Sequence, residues 1–252
     1  IVVGDGSSGT LGAISGVTPV SGSTLPTFSG TDPVLTAAAG SCITLGSGNT
    51  VRGLTIGNSA VNDILAAGPY GTFTITEATL NGTGTALNLT NGTLAATLDD
   101  LDVTSSTGAG ISISTSAGSL TTAGATTGIA GITTQGILVS GSTGNFNFGN
   151  VTITGGTDGV SLQNNSAGTR TFGTLNVSGG SGSAFLHAVG GGNVTVTGNA
   201  TLTSALNPID IQNAANGTTI SFNGGGNTVS KTTSGGAGVN WGGTNTGATL
   251  GF

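Results

Sequence analysis

Charged residues are nearly missing from this sequence of 252 residues. Lysine and arginine together number three, aspartate and glutamate number nine, and the formal net charge is −6. A nucleic-acid-binding surface needs clustered cations that neutralise phosphates, and docking on an anionic membrane needs them as well. No apolar run approaches the roughly 20 residues that a membrane-spanning helix requires. The sequence therefore predicts no nucleic-acid partner and no membrane insertion.

Cysteine occurs once and methionine not at all. A single Cys42 excludes a disulfide framework within the chain, so packing and backbone hydrogen bonds must hold the fold together. We expect Cys42 to be a packed thiol, with an intermolecular disulfide as the alternative. Because the chain begins at Ile1 and shows no signal peptide, we expect a processed protein or a segment of a larger one.

Glycine and alternating apolar residues are abundant instead. The chain has 50 glycines, and 35% of its residues are hydrophobic. Disordered chains are usually poor in β-branched and apolar residues and rich in charge. Here the apolar residues alternate with Thr, Ser and Asn, which is typical of short, half-buried strands joined by glycine turns. The composition therefore predicts a folded, all-β chain.

An internal repeat specifies the architecture. The segment Asn145–Leu162 recurs directly afterwards as Thr169–Leu186, with all its apolar positions kept except that Arg170 replaces Phe146. Each unit holds three short strands with an apolar-x-apolar core. The third strand gives the series Ile43/Leu45, Ile64/Ala66, Leu87/Leu89, Ile111/Ile113, Ile137/Val139, Val160/Leu162, Ala184/Leu186, Ile209/Ile211 and Val239/Trp241. The second gives Leu54/Ile56, Ala78/Leu80, Leu101/Val103, Val151/Ile153, Leu175/Val177 and Ala200/Leu202, with a degenerate member near Ile129.

The first strand is marked by Val51, Ile75, Leu98, Phe148, Phe172, Val196 and Phe222. Three series that keep a common step predict a right-handed parallel β-helix, a three-sheet β-solenoid with about 24 residues per coil. A sandwich of hairpins gives no reason for such a shared period. Residues 41–252 are expected to form the repeats, as a single domain. Residues 1–40 fit the period less well and contain Pro19, Pro26 and Pro33, so we expect an irregular N-terminal coil or a cap-like segment.

Two sequence motifs carry a family resemblance. The segment 49–56, Asn-Thr-Val-Arg-Gly-Leu-Thr-Ile, resembles a coil found across right-handed parallel β-helix proteins. The repeated Phe-x-Phe-Gly-Asn-Val-Thr-Ile unit is similar to the β-strand-repeat regions of large bacterial surface proteins, including adhesins and autotransporter-like passengers. The resemblance covers roughly residues 41–252 and implies the fold, while the family's functions range from adhesion to polysaccharide cleavage.

A polysaccharide lyase or hydrolase on this scaffold needs paired carboxylates, or a basic residue beside bound calcium. Only Asp99, Asp100 and Asp102 cluster in the sequence. They predict a solvated acidic corner, with a weak Ca²⁺ site as the alternative. His187 follows Leu186, which alternation directs inward, so His187 is expected on the surface. Arg170 is expected to extend outward from the edge of its coil. We therefore expect no catalytic centre and no cofactor.

Two outward-facing columns offer binding surfaces. Thr55, Thr79, Thr152 and Thr201 fall at matching positions of the second strand, and a regular threonine array is the feature that ice-binding solenoids use. The same column also contains Asp102 and Asn176, which interrupt the threonines. On the third strand, Leu65, Leu138 and Phe185 are expected to face outward and to serve as contacts for another subunit or a returning loop.

The C-terminal residues offer a third binding surface. Leu250 and Phe252 follow Ile220 and Phe222 by 30 residues. Val239/Trp241 follows Ile209/Ile211 by the same 30 residues. The chain is therefore expected to stop after the first strand of a new coil, which leaves an open strand for self-association.

Together these features predict a non-catalytic, extracellular structural protein of the bacterial cell surface: a filament, sheath or adhesin stalk. Its expected partners are further copies of itself or other cell-surface proteins. A carbohydrate- or ice-binding module is the alternative, and a polysaccharide lyase or hydrolase is the third hypothesis.

Overall fold

A computed structural model describes residues 33–123 and 126–252, together with two short strands before them. Every regular element in these residues is a β-strand, which confirms the predicted all-β class. No helix among the described residues is long and apolar enough to cross a membrane.

Most of the strands are short, and they follow one another closely. The first thirteen are β1 (Gly9–Thr10), β2 (Thr27–Phe28), β3 (Val34–Ala37), β4 (Ile43–Thr44), β5 (Thr50–Ser59), β6 (Asn62–Ala66), β7 (Gly71–Thr83), β8 (Thr85–Leu98), β9 (Asp100–Ser105), β10 (Ile111–Thr122), β11 (Thr127–Ile132), β12 (Gln135–Ser140) and β13 (Asn145–Asn147). The other twelve are β14 (Val151–Gly155), β15 (Asp158–Asn165), β16 (Thr169–Phe172), β17 (Leu175–Gly180), β18 (Phe185–Gly190), β19 (Asn193–Val196), β20 (Ala200–Ser204), β21 (Ile209–Ala214), β22 (Thr219–Phe222), β23 (Thr228–Lys231), β24 (Val239–Gly242) and β25 (Thr249–Gly251).

All pairings from β3 onward are parallel and join each strand to its copy one turn away, so the chain is a β-solenoid of about eight turns. The first stack contains β5, β7, β8, β10, β13, β16, β19, β22 and β25. The second contains β3, β5, β7, β9, β11, β14, β17, β20 and β23. The third contains β4, β6, β8, β10, β12, β15, β18, β21 and β24. The long strands β5, β7, β8 and β10 bend around a corner and serve two stacks.

The inward residues of the three stacks form one continuous core. The predicted apolar positions of the middle turns, such as Ile111, Ile153 and Leu175, have no exposed surface. Ile129, the degenerate member, pairs with both Val103 and Ile153 and is buried. The Phe148 and Phe172 rings stack with centroids 5.5 Å apart. Side chains on neighbouring turns therefore contact one another along the axis, as in a packed protein interior.

The register differs from the prediction at β18. Val160 pairs with Phe185 rather than with Ala184. Phe185 and His187 are therefore the inward residues, and both are buried, while Leu186 faces outward. The predictions of an outward Phe185 and a surface His187 are wrong for this single reason, because a one-residue slip exchanges the two faces of a strand.

The second stack shifts its register between β7 and β9. Leu80 pairs with Leu101, and Thr79 pairs with Asp100 instead of Asp102. Thr55 and Thr79 are neighbours, and Asp100 rather than Asp102 follows them. Further along, Asn176 separates Thr152 from Thr201, as expected. The four threonines therefore do not form a regular array.

The chain leaves the third stack through a corner at which most turns have one residue with a positive φ. Seven successive turns place a left-handed residue there: Asn91, Thr115, Gly141, Asn164, Val189, Asn213 and Gly243. Glycine and asparagine adopt this conformation readily, whereas β-branched residues do so only with strain. Thr115 and Val189 are therefore strained members of this column.

The opposite corner, just before the third stack, is built from small residues. Gly110, Gly136 and Gly159 occupy it on successive turns. A Cβ atom at Gly110 would lie 2.6 Å from Ile129 Cγ2, and one at Gly136 would lie 2.7 Å from Ile153 Cγ2. Glycine is needed there because branched core residues of the next turn fill the corner.

Asparagine and aspartate side chains connect turns at the corners. The Thr174 amide donates to Asn150 Oδ1 at 2.9 Å, and the Ser183 amide donates to Asp158 Oδ1 at 2.9 Å. Asn193 accepts from the amide of Thr219 in the same way. These bonds satisfy backbone groups that the strand ladders leave free, so the many asparagines have a structural role.

The stacked strands begin earlier than the expected boundary at residue 41. β3 already pairs in parallel with β5, with Leu35 opposite Ile56. β1 and β2 form a separate antiparallel pair. The rest of the expected irregular segment 1–40, up to residue 32, lies outside the described residues.

Candidate functional site

The C-terminal end of the solenoid exposes residues that continue the core. We call β23, β24 and β25 the last rung. Trp241 pairs with the fully buried Ile211, yet it is 40% exposed. Phe252 stacks on the buried Phe222 with centroids 5.6 Å apart and is 64% exposed. Val229 and Leu250 of this rung are partly buried against the core. The last rung therefore exposes apolar side chains whose counterparts in the preceding turn are buried.

The backbone of the last rung is open along one edge. Within the described residues, β23 pairs only with β20, β24 only with β21 and β25 only with β22. The opposite edge of each strand carries N–H and C=O groups that a further strand would satisfy. Such edges are templates for pairing with another chain. Leu250 pairs with Ile220, as the spacing predicts; the open strand stays a prediction.

The other end of the described solenoid contains a cavity. We call β3, β4 and the Thr50–Arg52 part of β5 the first rung. A cavity of about 310 Å³ opens into it. It is lined by Leu35, Cys42, Ile43, Thr44, Leu45, Asn49, Thr50 and Val51. Most of these side chains are apolar, so this end also presents the interior of the stack.

Cys42 and Asp63 lie beside this cavity, at the corner that is occupied by glycine further along. Cys42 is half-buried, and the packed thiol and its alternative, an intermolecular disulfide, both stay predictions. Burial raises the pKa of its thiol, and the charge of Asp63 raises it further. Asp63 is 1% exposed, and neither carboxylate oxygen has a hydrogen-bond partner of good geometry. The nearby Ser59 hydroxyl donates to Thr83 O, but it lies close enough to oppose part of the rise in the pKa of Asp63. Burial raises the pKa of Asp63 to about 7, so this carboxyl is an internal titrating group that sequence reasoning missed.

The acidic cluster is dispersed by the fold. Asp100 Oδ1 accepts from the Leu101 amide at 3.0 Å, while Asp102 Oδ1 accepts from the Gly128 amide at 2.5 Å on the next turn. Burial raises the pKa of Asp102. No group of three metal-ligating side chains occurs in residues 33–123 and 126–252. Asp99, Asp100 and Asp102 therefore do not converge on a calcium site in this part of the chain.

Arg170 is buried in the core instead of extending to solvent, so the prediction of its position is wrong. It lies opposite Phe146 and Val194, at an inward position, and is 1% exposed. Its guanidinium donates to Ala167 O, to Ser142 O at 2.8 Å and to Asn165 Oδ1 at 3.1 Å. Burial lowers its pKa to about 10. The positive charge of Arg170 is therefore stabilised by carbonyl oxygens rather than by a carboxylate.

A chain of buried polar groups continues from Arg170 along the axis. The Ser142 amide donates to Asn165 Oδ1 at 2.9 Å, and the Ser116 amide donates to Ser142 Oγ at 3.1 Å. The Tyr70 hydroxyl donates to Ser116 Oγ at 2.9 Å. Burial lowers the pKa of the neighbouring His187. Arg170 Nε and His187 Nδ1 remain buried without a hydrogen-bond partner, so this polar chain is only partly satisfied.

Two further predicted residues remain on the outside. Leu65 and Leu138 are partly exposed on the third stack, and Leu186 takes the outward position expected of Phe185. Ser112 lies directly beside Leu138 in this column. The three leucines are thus scattered along the rod and do not form a continuous apolar patch. Arg52, the one cation in the coil motif, is engaged by Glu77 at 2.9 Å.

No protein-family model, no curated protein and no solved structure matches this chain. The candidate site is therefore defined by its own geometry, which singles out the two ends of the stack.

Proposed function

We propose that this protein is a non-catalytic, extracellular structural protein whose solenoid builds a filament, a sheath or the stalk of an adhesin through end-to-end contacts. The observation that carries the proposal is the last rung. Within residues 33–123 and 126–252, each of its three strands pairs along one edge only, and Val239, Trp241 and Phe252 are exposed where their counterparts one turn earlier are buried. The resemblance to strand-repeat regions of bacterial surface proteins supports the proposed location.

The sides of the rod support a structural role as well. Most outward side chains are short and polar, and the interior is filled by packed side chains. The buried Arg170 and His187 face the core, and the acidic residues Asp100 and Asp102 bind backbone amides. These groups stabilise the rod, and we assign them no chemical step.

Electron microscopy and analytical ultracentrifugation of the purified chain test the proposal. The nine strands per stack in residues 33–123 and 126–252, at a spacing of about 4.8 Å, give this part of the chain a length of roughly 43 Å along the axis. We expect rods of variable length whose number rises with protein concentration. Trp241→Asp places a charge on the last rung and should weaken association at least tenfold. Asn176→Asp adds the same charge on the exposed side of the rod and should leave association unchanged.

A chain that stays monomeric at high concentration would exclude the filament and the sheath. The stalk would then be the remaining form of the proposal. Equal association of the two aspartate variants would show that contacts form along the sides of the rod rather than at its ends.

A further inference from the structure

We propose that the core of the solenoid binds a halide ion, chloride or bromide, beside the buried guanidinium of Arg170. The site lies at Gly191 and Gly192, where the chain passes from β18 in the third stack to β19 in the first. Arg170 supplies the charge and one hydrogen-bond donor, and Thr218 and His187 supply two more. The site belongs to the interior of the rod and is independent of the proposed end-to-end contacts.

Three buried side chains near this corner each have a polar atom without a hydrogen-bond partner in the described part of the chain. These atoms are Arg170 Nε, His187 Nδ1 and Thr218 Oγ1, on residues that are 1%, 1% and 3% exposed. Buried polar atoms are nearly always hydrogen-bonded, because one without a partner is costly. The Arg Nε and the Thr hydroxyl are donors, and His Nδ1 is a donor in one of its two neutral tautomers. A ligand that satisfies all three atoms must therefore accept hydrogen bonds.

The two glycines bring these side chains to one corner. Arg170 lies in the turn before them and Thr218 in the turn after them. A Cβ atom at Gly192 would lie 2.6 Å from Arg170 Nη1, and one at Gly191 would lie 3.7 Å from Thr218 Oγ1. Burial lowers the pKa of His187, a hydrogen bond to the Gly192 backbone raises it, and the charge of Arg170 lowers it further. His187 therefore lies beside both Gly192 and Arg170.

The charge of Arg170 favours an anion over a neutral ligand. The three acceptors of its hydrogen bonds, Ala167 O, Ser142 O and Asn165 Oδ1, are all neutral. No carboxylate forms an ion pair with Arg170 in the described part of the chain. A charge inside a protein has a large desolvation cost, and a counter-ion in direct contact offsets part of it. A water molecule would satisfy the free Nε but would leave the charge without a counter-ion.

The neighbours of the site favour a monatomic anion. The guanidinium carbon of Arg170 lies 5.6 Å from the centroid of the Phe146 ring. His187 lies between Leu162 and Ile211 in its ladder, and both are buried. These apolar neighbours offer no donors to the several oxygens of a sulfate or phosphate ion. A halide ion needs only the few donors that are present.

The corner itself separates the site from solvent. Gly191 and Gly192 are partly exposed, and neither has a side chain that would cover the donors behind it. Local opening of such a corner needs less free energy than unfolding of the stacked strands. A small ion therefore reaches Arg170 without unfolding of the rod.

Two measurements on the entire chain test the site. Crystals soaked in sodium bromide should show an anomalous scattering peak in contact with Arg170 Nε and Thr218 Oγ1. The urea midpoint of unfolding should rise more with sodium chloride than with sodium acetate at the same concentration, because a ligand that binds only the folded chain stabilises it. A water molecule at this position and no bromide peak would overturn the proposal.

Matched variants assign the effect of chloride to this site. Arg170→Phe removes the charge and restores the residue type of Phe146 in the preceding repeat, so its midpoint should respond equally to chloride and acetate. Thr218→Val keeps the charge, removes one donor and should weaken chloride binding about tenfold. Thr219→Val, at the adjacent exposed threonine, is the control and should respond as the parent chain does. An Arg170→Phe chain that keeps the additional response to chloride would refute the site.

Discussion

The buried Asp63 makes the stability of the solenoid depend on pH in a direction that is unusual for a carboxyl group. Its pKa is about 7 in the folded chain because burial disfavours the charged form, against an ordinary value of 3.8. Between these two values the folded chain holds a proton that the unfolded chain has lost. Stability therefore falls as pH rises through this window, by about 1.4 kcal/mol per pH unit, and levels off above pH 7.

The Asp63→Ala variant removes this dependence. Alanine fits the column, since Ala86 and Ala184 occupy the same corner on other turns. We expect the variant and the parent chain to differ little in stability at pH 4. At pH 8 the variant should be more stable by about 4 kcal/mol, which is the window of roughly three pH units multiplied by the slope.

Urea unfolding followed by circular dichroism between pH 4 and pH 9 measures this difference. Asp100→Ala is the matched control, because Asp100 is partly exposed and accepts a backbone hydrogen bond; it should show no gain at high pH. A stability difference between the Asp63 variant and the parent that stays constant from pH 4 to pH 9 would refute the reasoning.

Two further predictions concern the corner and the core. Val189 is 47% exposed and has a φ of 58°, so Val189→Asn should raise the free energy of unfolding by about 1 kcal/mol by relieving the strain of a β-branched residue in a left-handed conformation. Val61→Asn, at an exposed valine without a positive φ, should give no gain, and equal effects of the two would contradict the strain argument. Phe172→Ala removes the ring that stacks on Phe148 and should lower the free energy of unfolding by about 3–5 kcal/mol. Denaturant titration checks this value, and a loss below about 1 kcal/mol would mean that the core collapses around the cavity.

Periodicity is sufficient to predict the fold, because each inward ladder residue recurs once per turn. The error at Phe185 arises where two interpretations of the period fit equally well. Ala184 is apolar and buried, but it belongs to the small-residue corner that contains Gly136 and Gly159. If Gly136, Gly159 and Ala184 are aligned as a separate corner column, the next residue, Phe185, takes the inward position of the third strand.

Arg170 shows a different limit of sequence reasoning. Alternation places it correctly at an inward position, in line with Phe146, and only the assumption that a charge must reach water directs it outward. The structure surrounds the guanidinium with oxygens from Ser142, Asn165 and Ala167. Two of these acceptors are main-chain carbonyls, whose orientation depends on corner geometry rather than on residue type, so the sequence holds no signal for them.

The glycine corner also constrains how such a chain can change over evolutionary time. Gly110 is required because Ile129 of the next turn fills its corner, and Gly136 is required because of Ile153. A single substitution at either partner disturbs the other, which lies on a different turn. Duplication or deletion of a complete turn, in contrast, keeps one corner glycine and one branched core residue in every turn, so each glycine still meets a branched residue of the next turn. We therefore expect the lineage of this protein to vary by gain and loss of entire turns, so that rod length evolves more readily than the residues of this corner.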